Sequence, residues 1–582
     1  MAQNVRGFES HNIIISCIVF ILLLRNVIIL GQSIPIGYSL NIYSQLPDSY
    51  WHSSIIIYFL ASLLILSDKK MARLAAIVFL LLNFTTNFAI PFELGYHNYG
   101  RCDELTHIGE IRNICYGGHV DPINIYPATH IIFSFVSLVS DIDPTKISFL
   151  LSAFFSIMFV IGLFVSARFF NQGGVNNNYL LICACSIYYL GFYHFSNAPN
   201  FIFFSLIPTF LFILYTYMYR RTVSTTLILI VFISTISLGH PFIFLFVAYT
   251  LLSMSIVGKL NDCDYNLNII MVFVILIFMA WILYNSAALH SFDKVLSAFI
   301  SGITQPVTSS GIEKISKINL HGLDLMKLIV VYYGRYILPI LSIAILFIYR
   351  LTRRLSLQYD EICNINRLCH LLMLFGIFEV CFLINPVITH GVDRVTNLNY
   401  TVMAIVPLFA ISLNHIIIKK YSIQMGLVLA SLILTLTFAL SLCSLLTSPM
   451  ILHPNMVTTY NEVSGMEWLF DHKDKEPIYD IFGDLGQRYS YLLYGMSSTS
   501  QRFNRDILYI YEGRIKDHFD YTNQVNIYIN DGYIVIPTFA EIVYQTIWVD
   551  VDRFNKSDFA KFESDTSVAK IYTSLNIKIY KV

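Results

Sequence analysis

Charged side chains make up only 13% of the 582 residues while 56% are hydrophobic, a balance too apolar for a soluble chain of this length. Neither sign of charge dominates, since Lys and Arg together number 37 and so do Asp and Glu. A chain without a basic surplus has no general field for nucleic acid, and that partner class drops out. The cysteines are scattered with no C-x-x-C pair, which removes the usual zinc and iron–sulfur arrangements; Cys183 and Cys185 read as small apolar residues inside a span. No small-x-small cleavage site follows the first apolar run and Arg25 interrupts it, so it reads as a retained anchor. Internal repeats, low-complexity tracts and a phosphate-binding glycine loop are missing too.

Hydrophobic length is what is present. Runs able to cross a hydrocarbon core of about 30 Å occur at residues 12–32, 51–67, 72–91, 144–169, 179–195, 201–219, 222–238, 242–257, 267–285, 328–349, 368–385, 400–418 and 426–445, about thirteen spans. With the N-terminus cytoplasmic, the basic residues of 68–73, Arg168, 219–221, Lys259, 349–354 and 419–420 all fall on the inner side, as the positive-inside rule requires. The expected architecture is an α-helical polytopic membrane domain over residues 1–446 and a small α/β domain over residues 447–582. In a multi-pass cell-membrane protein of this topology, the loop 92–143 and the C-terminal domain are extracytoplasmic.

The run YPATHIIFSFVSLVS (126–140) is too short for a crossing and ends in the breaker DIDP. With Pro127 at a first helical position, it is expected to lie on the outer leaflet as an interfacial helix. Residues 292–300, in a second outer loop, have the spacing of an amphipathic helix. The C-terminal domain is expected to hold a helix over 459–472, a strand over 478–482, and hairpins over 526–537, turning at 530–532, and over 569–582.

The polar island HNYGRCDELTHIGEIRNICYGGHVDPINIYPATH (97–130) concentrates the chemistry. Asp103 and Glu104 open a predicted helix whose apolar face is Ile108, Ile111 and Cys115, and Asp103 shares a face with His107 at i, i+4 spacing. Acids in a first turn complement the helix dipole, which is a sufficient structural explanation. The same acid at a membrane boundary also suits a general base acting on an acceptor hydroxyl. Three further features fall on that side: His240 in GHP, Arg335 in YYGRY, and Asp393 with Arg394 in THGVDRVTNLNY. Singly they read as a turn histidine, a snorkelling arginine and a loop ion pair; together they form a phosphate-binding set. Glu379 and Arg25 lie deeper in spans, where ionisable groups mark transport pathways or pair with each other. Cys102 and Cys115 bracket the acidic helix, and a straight helix holds them about 20 Å apart, too far for a disulfide.

The order of these parts resembles the GT-C glycosyltransferases, particularly the group similar to protein O-mannosyltransferases and aminoarabinose transferases. A span is followed by the acidic DE of Asp103 and Glu104 in the first large outer loop, then by YPATH (126–130) heading an interfacial helix, then by many more spans. Here the acidic loop follows the third predicted span instead of the first, and YPATH stands where PPL is more familiar. The resemblance implies a polyprenyl-phosphate-linked sugar as donor, an outer-loop acid matched by Asp103 as base or acceptor-binding group, and Arg394 as the late phosphate-binding arginine. Asp103 and Glu104 are the catalytic candidates; His107, Tyr126, His130, His240, Arg335 and Asp393 join Arg394 as substrate-binding candidates. Sugar, acceptor (glycan, lipid or protein) and metal requirement stay open, a divalent cation being the candidate cofactor. The leading expectation is an inverting glycosyltransferase at the outer membrane face. The alternatives are a transporter or flippase of a lipid-linked or small polar substrate, dependent on Glu379 or Arg25, and a non-catalytic membrane scaffold.

Overall fold

The computed structural model describes the chain except residues 1, 34–36, 68, 122–123, 170–174, 261–266, 286–288, 291–292, 294–295, 298–299, 302–321, 353–358, 385–391, 420–422, 475, 483–484, 496–511, 521–524, 528, 530 and 550–551. The predicted helix of 292–300 lies largely outside the described residues.

The membrane domain is built from helices with two apolar faces of different kind. On Lys70–Thr86, Ala72, Ala76 and Leu80 are buried while Leu74, Val78 and Leu82 are exposed. Four-residue spacing thus gives one face to neighbouring helices and an equally apolar one to the surroundings, as a lipid boundary demands. Among the described residues, eight helical segments are long and apolar enough to cross a membrane: His11–Gly31, Lys70–Glu93, Pro144–Arg168, Pro199–Tyr219, Pro241–Lys259, Leu323–Leu351, Glu361–Ile384 and Gln424–Leu442. The other predicted spans form shorter or less uniformly apolar helices, Asp48–Ile65, Val223–Ser237, Asn268–Tyr284 and Val402–Leu413, the last running into a π-turn at Asn414–Ile418.

Residues 179–195 depart furthest from expectation. A helix ends at Cys185, and the chain continues as a buried irregular segment into a 3-10 turn at Gly191–Phe195, with Gly191 at φ +55°. Non-helical backbone persists at depth only where protein groups satisfy it. Here Tyr58 Oη donates to the Cys183 carbonyl (2.5 Å), Tyr336 Oη donates to the Tyr189 carbonyl (2.7 Å), and the Tyr188 N–H donates to Ser441 Oγ (3.3 Å). Hydropathy alone does not reveal such partners. The two deep charges are likewise satisfied locally and not by each other. Arg25 donates to the Ser49 carbonyl (3.1 Å) and Ser53 Oγ (2.7 Å), and Glu379 accepts the Tyr400 N–H (2.7 Å).

Pro127–Ser140 is a 14-residue helix, about 21 Å long at the usual rise and so too short to cross. It buries His130, Phe133, Ser134 and Ser137 and leaves Ile131, Phe135, Leu138 and Val139 exposed. Proline opens this helix and also Pro144–Arg168 and Pro241–Leu260, where the missing N–H has no intrahelical partner to lose.

Strand β1, Tyr96–Tyr99, pairs antiparallel with β2, Val457–Thr459, and so joins the acidic loop to the start of the C-terminal domain. The helix Tyr460–His472 begins with a capping box: Thr459 Oγ1 accepts the Glu462 N–H (3.2 Å), and Glu462 Oε2 accepts the Thr459 N–H (2.9 Å). Beyond it lies a sheet of β3 (Ile478–Asp480), β4 (Glu512–Arg514), β5 (Tyr533–Pro537), β6 (Ala569–Thr573) and β7 (Ile577–Lys581), in the order β4-β3-β5-β7-β6. β3 is parallel to β4 and β5, and β7 is antiparallel to β5 and β6. The predicted hairpin at 569–582 is β6–β7. The one at 526–537 does not form: Val525–Ile527 is a 3-10 turn, and β5 pairs with β3 and β7. Every residue of β5 is buried, and a continuously apolar strand belongs at a sheet centre between partners distant in sequence.

Candidate functional site

The helix Asp103–Gly117 starts without a side-chain cap, which leaves Asp103 and Glu104 to answer its free N–H groups. Leu105 and Ile108 pack on Val463, Met466, Leu469 and Leu492 of the C-terminal domain. The other side carries Asp103, Thr106, His107 and Glu110, the i, i+3, i+4, i+7 stripe of one helix face, and this stripe lines a cavity of about 310 Å³. Tyr126 and His130 close it from the next helix, His240 from the start of Pro241–Leu260, Arg394 from Val392–Asn397, and Arg488 from the C-terminal domain.

The C-terminal contribution is fixed by close contacts. Gly109 lies so near the helix Leu485–Tyr494 that a Cβ there would stand 2.3 Å from the Tyr491 carbonyl oxygen. Arg112 Nη1 donates to the Leu492 carbonyl (2.8 Å), and the wholly buried pair Arg101–Glu462 closes at 2.9 Å. The same C-terminal helix delivers Arg488, whose Nη1 donates to Asp103 Oδ1 (2.9 Å) and Thr106 Oγ1 (2.8 Å). Asp103 keeps 60% of its side chain exposed despite this pair, so it remains within reach of a bound molecule.

Asp103, His107, Tyr126, His130, His240 and Arg394 therefore stand around one cavity although they are spread over nearly three hundred residues of sequence. Glu104 does not line it. Half-buried, it sits under Gly100, where a Cβ would meet its Cγ at 2.4 Å; loss of water pushes its carboxyl up to about 7, with the Asp103 charge adding to the rise. Arg335 is a correction to the phosphate-binding set. Its side chain is fully buried away from the cavity lining, donating to the Tyr332 carbonyl (3.0 Å), to Ser444 Oγ (2.5 Å) and to Asn397 Oδ1. It braces three segments and does not snorkel. The side chain of Asp393 lies outside the described residues.

Behind the stripe runs a chain of hydrogen bonds. His107 Nδ1 is 3.1 Å from His130 Nε2, His130 Nδ1 is 3.0 Å from Asn124 Oδ1, and Asn124 Nδ2 donates to Glu110 Oε2 (3.2 Å). Burial pushes His107 down to about 4, against a smaller upward pull from Asp103, and burial together with His107 holds His130 well below its ordinary range. Both shifts favour the neutral imidazole. Burial also pushes the Glu110 carboxyl up to about 7, helped by Asp121. Tyr126 stacks on His240 at 5.1 Å with the rings 10° from parallel. Arg394 Nε is buried without a hydrogen-bond partner among the described residues. Among the described residues no three His, Cys, Asp or Glu side chains come together as metal ligands, and Cys102 and Cys115 form no disulfide with each other.

Arg488, Thr106, Glu110 and Asn124 were not singled out in the sequence. Thr106 and Glu110 lie three residues on from Asp103 and His107, on the same helix face; nothing local marks Arg488 or Asn124.

No family model and no curated protein sequence matches the chain. Solved structures do. An oligosaccharyltransferase of Archaeoglobus fulgidus tethered to an acceptor peptide containing the NVT sequon is 12% identical, with 87% of this chain and 71% of that chain covered at a TM-score of 0.46. The same enzyme in complex with Zn and sulfate is also 12% identical, with 88% and 70% covered and a TM-score of 0.48. ArnT from Cupriavidus metallidurans in the apo state is 9% identical, with 88% and 98% covered and a TM-score of 0.45. Both proteins belong to the GT-C superfamily. Likeness at these identities and scores transfers no residue role.

Proposed function

We propose that the chain is a glycosyltransferase that moves a sugar from a polyprenyl-phosphate donor to an acceptor at the outer membrane face. The observation that carries this reading is one cavity lined by both an accessible carboxylate, Asp103, and a guanidinium, Arg394, whose buried Nε has no hydrogen-bond partner among the described residues. The starts of Asp103–Gly117 and Pro241–Leu260 border the same space, and helix N-termini favour an anion. The distribution of Lys and Arg along the sequence supports placing this face, with the C-terminal domain, outside.

On this reading the lipid phosphate lies against Arg394, with Arg488 as a second cation. The acceptor hydroxyl oxygen bonds to the anomeric carbon as the bond from that carbon to the phosphate oxygen breaks. The phosphate leaves with the electron pair, stabilised by the guanidinium, and Asp103 takes the hydroxyl proton. A single displacement of this kind inverts the anomeric centre. Arg488 holds Asp103 aimed until an acceptor arrives. The deep charges Glu379 and Arg25 already have local partners, so the transporter alternative gains no observation of its own.

The test is incubation of the purified protein with sugar-labelled polyprenyl-phosphate hexoses and an envelope extract as acceptor. Label should pass to an acceptor while polyprenyl phosphate accumulates. Failure of every hexose to move refutes the reading.

A further inference from the structure

The hydrogen-bond chain behind the acidic stripe has only one direction. The backbone N–H of Tyr126 can only donate, and it meets Asn124 Oδ1 at 3.0 Å, which fixes that end of the amide as oxygen. The amide nitrogen then points to Glu110 Oε2, as its 3.2 Å contact requires. Because the same oxygen faces His130 Nδ1, that nitrogen carries the hydrogen, and the neutral ring has its lone pair on Nε2. His107 Nδ1 donates to that lone pair. His107, also neutral, is left with its own lone pair on Nε2, and no described residue bonds to it. Reversing any link sets two hydrogens or two lone pairs face to face in a buried site, and the Tyr126 N–H cannot reverse at all.

We infer that His107 Nε2 is a fixed hydrogen-bond acceptor for a hydroxyl of the donor sugar, an assignment that rests on the sugar-transfer reading above. His107 lines the cavity beside Arg394 and Arg488, and both guanidiniums oppose its protonation. A fully ionised phosphate oxygen has no hydrogen to offer this nitrogen, whereas a sugar hydroxyl does. The cavity thereby sorts the two ends of a sugar phosphate, with the anion going to the arginines and the polyol to His107. A site built to receive a hydroxyl discriminates strongly against a ligand that lacks one, because the buried acceptor is then left unmade.

The probes are the glucosyl, galactosyl and mannosyl esters of a polyprenyl phosphate, and the bare polyprenyl phosphate, titrated calorimetrically into the detergent-solubilised full chain. The parent should bind at least one ester about tenfold more tightly than the bare lipid phosphate. His107→Phe should abolish that preference while changing affinity for the bare lipid phosphate by less than about twofold. His107→Gln keeps a carbonyl acceptor and should retain part of the preference. His130→Phe leaves His107 in place but frees its tautomer, and should reduce the preference severalfold even if His107→Phe proves insoluble. Survival of the preference in His107→Phe, or in His130→Phe where that is the variant measured, overturns the assignment, as does equal loss of both ligands. Binding of both ligands by the parent without preference also overturns it and leaves the transfer reading standing. Binding of neither ligand by the parent overturns the transfer reading and this assignment with it.

Discussion

Gly109→Ala tests whether the C-terminal domain positions the site. A Cβ at this position lands 2.3 Å from the Tyr491 carbonyl oxygen and 2.6 Å from its carbon, so the obstacle is backbone and not the end of a flexible side chain. Two effects oppose each other. Alanine favours a helix interior over glycine by about 1 kcal/mol, while overpacking a close contact costs about 1–3 kcal/mol. With no side chain able to move aside, the cost lies at the upper end, and a net loss of about 1–2 kcal/mol is expected. Relief requires the Leu485–Tyr494 helix to back away by about 1 Å, the gap between the clash and ordinary van der Waals contact. That movement stretches the Arg488 bonds to Asp103 and Thr106, now 2.9 and 2.8 Å, past useful length. Thermal unfolding in detergent should show a lowered melting temperature. Sugar transfer should fall about tenfold, the scale of one lost charge-assisted hydrogen bond. Arg488→Ala should lower transfer by a similar factor, and the double variant should be little worse than either single one. A Gly109→Ala protein that melts at or above the parental temperature and transfers at the parental rate refutes the contact.

Arg394→Ala should raise the donor KM about tenfold or more, since the phosphate loses its charged partner; steady-state kinetics with varied donor check this, and an unchanged KM removes Arg394 from the phosphate site. Glu104 holds its proton up to about pH 7 in the folded chain but releases it near 4.3 when unfolded. The folded state therefore binds more protons across that window, and stability falls as pH rises through it. Glu104→Gln should accordingly raise the melting temperature relative to the parent more at pH 8 than at pH 5, and an equal shift at both pH values contradicts the raised carboxyl. Single cysteines at Lys69 and Asp531, in a chain cleared of reactive native thiols, should respond oppositely to an impermeant maleimide on intact cells, with only Asp531→Cys labelled; the reverse pattern inverts the topology.

Residues that act through local periodicity were legible in the sequence. The apolar runs gave the long helices, YPATH and DIDP bounded Pro127–Ser140, and the capping residues Thr459 and Glu462 agree with the expected helix start. Asp103 and His107 line the same cavity because four residues is about one helical turn, a spacing visible in the sequence. What escaped depends on tertiary partners. Hydropathy cannot show that Tyr58, Tyr336 and Ser441 satisfy a broken backbone within 179–195. A lone arginine in YYGRY looks the same whether it meets phosphate or, as Arg335 does, Ser444 and Asn397. Arg488 reaches Asp103 across 385 positions of sequence, a separation at which no motif operates.

The rate of sugar transfer by Asp103→Asn, set beside the parent at matched amounts of monodisperse protein, bears most directly on the proposed reaction. Asparagine preserves size and most hydrogen bonding at the cavity mouth but cannot take the acceptor proton. Transfer should fall about a hundredfold or more while the protein remains folded, and transfer at the parental rate would contradict the proposed role of Asp103.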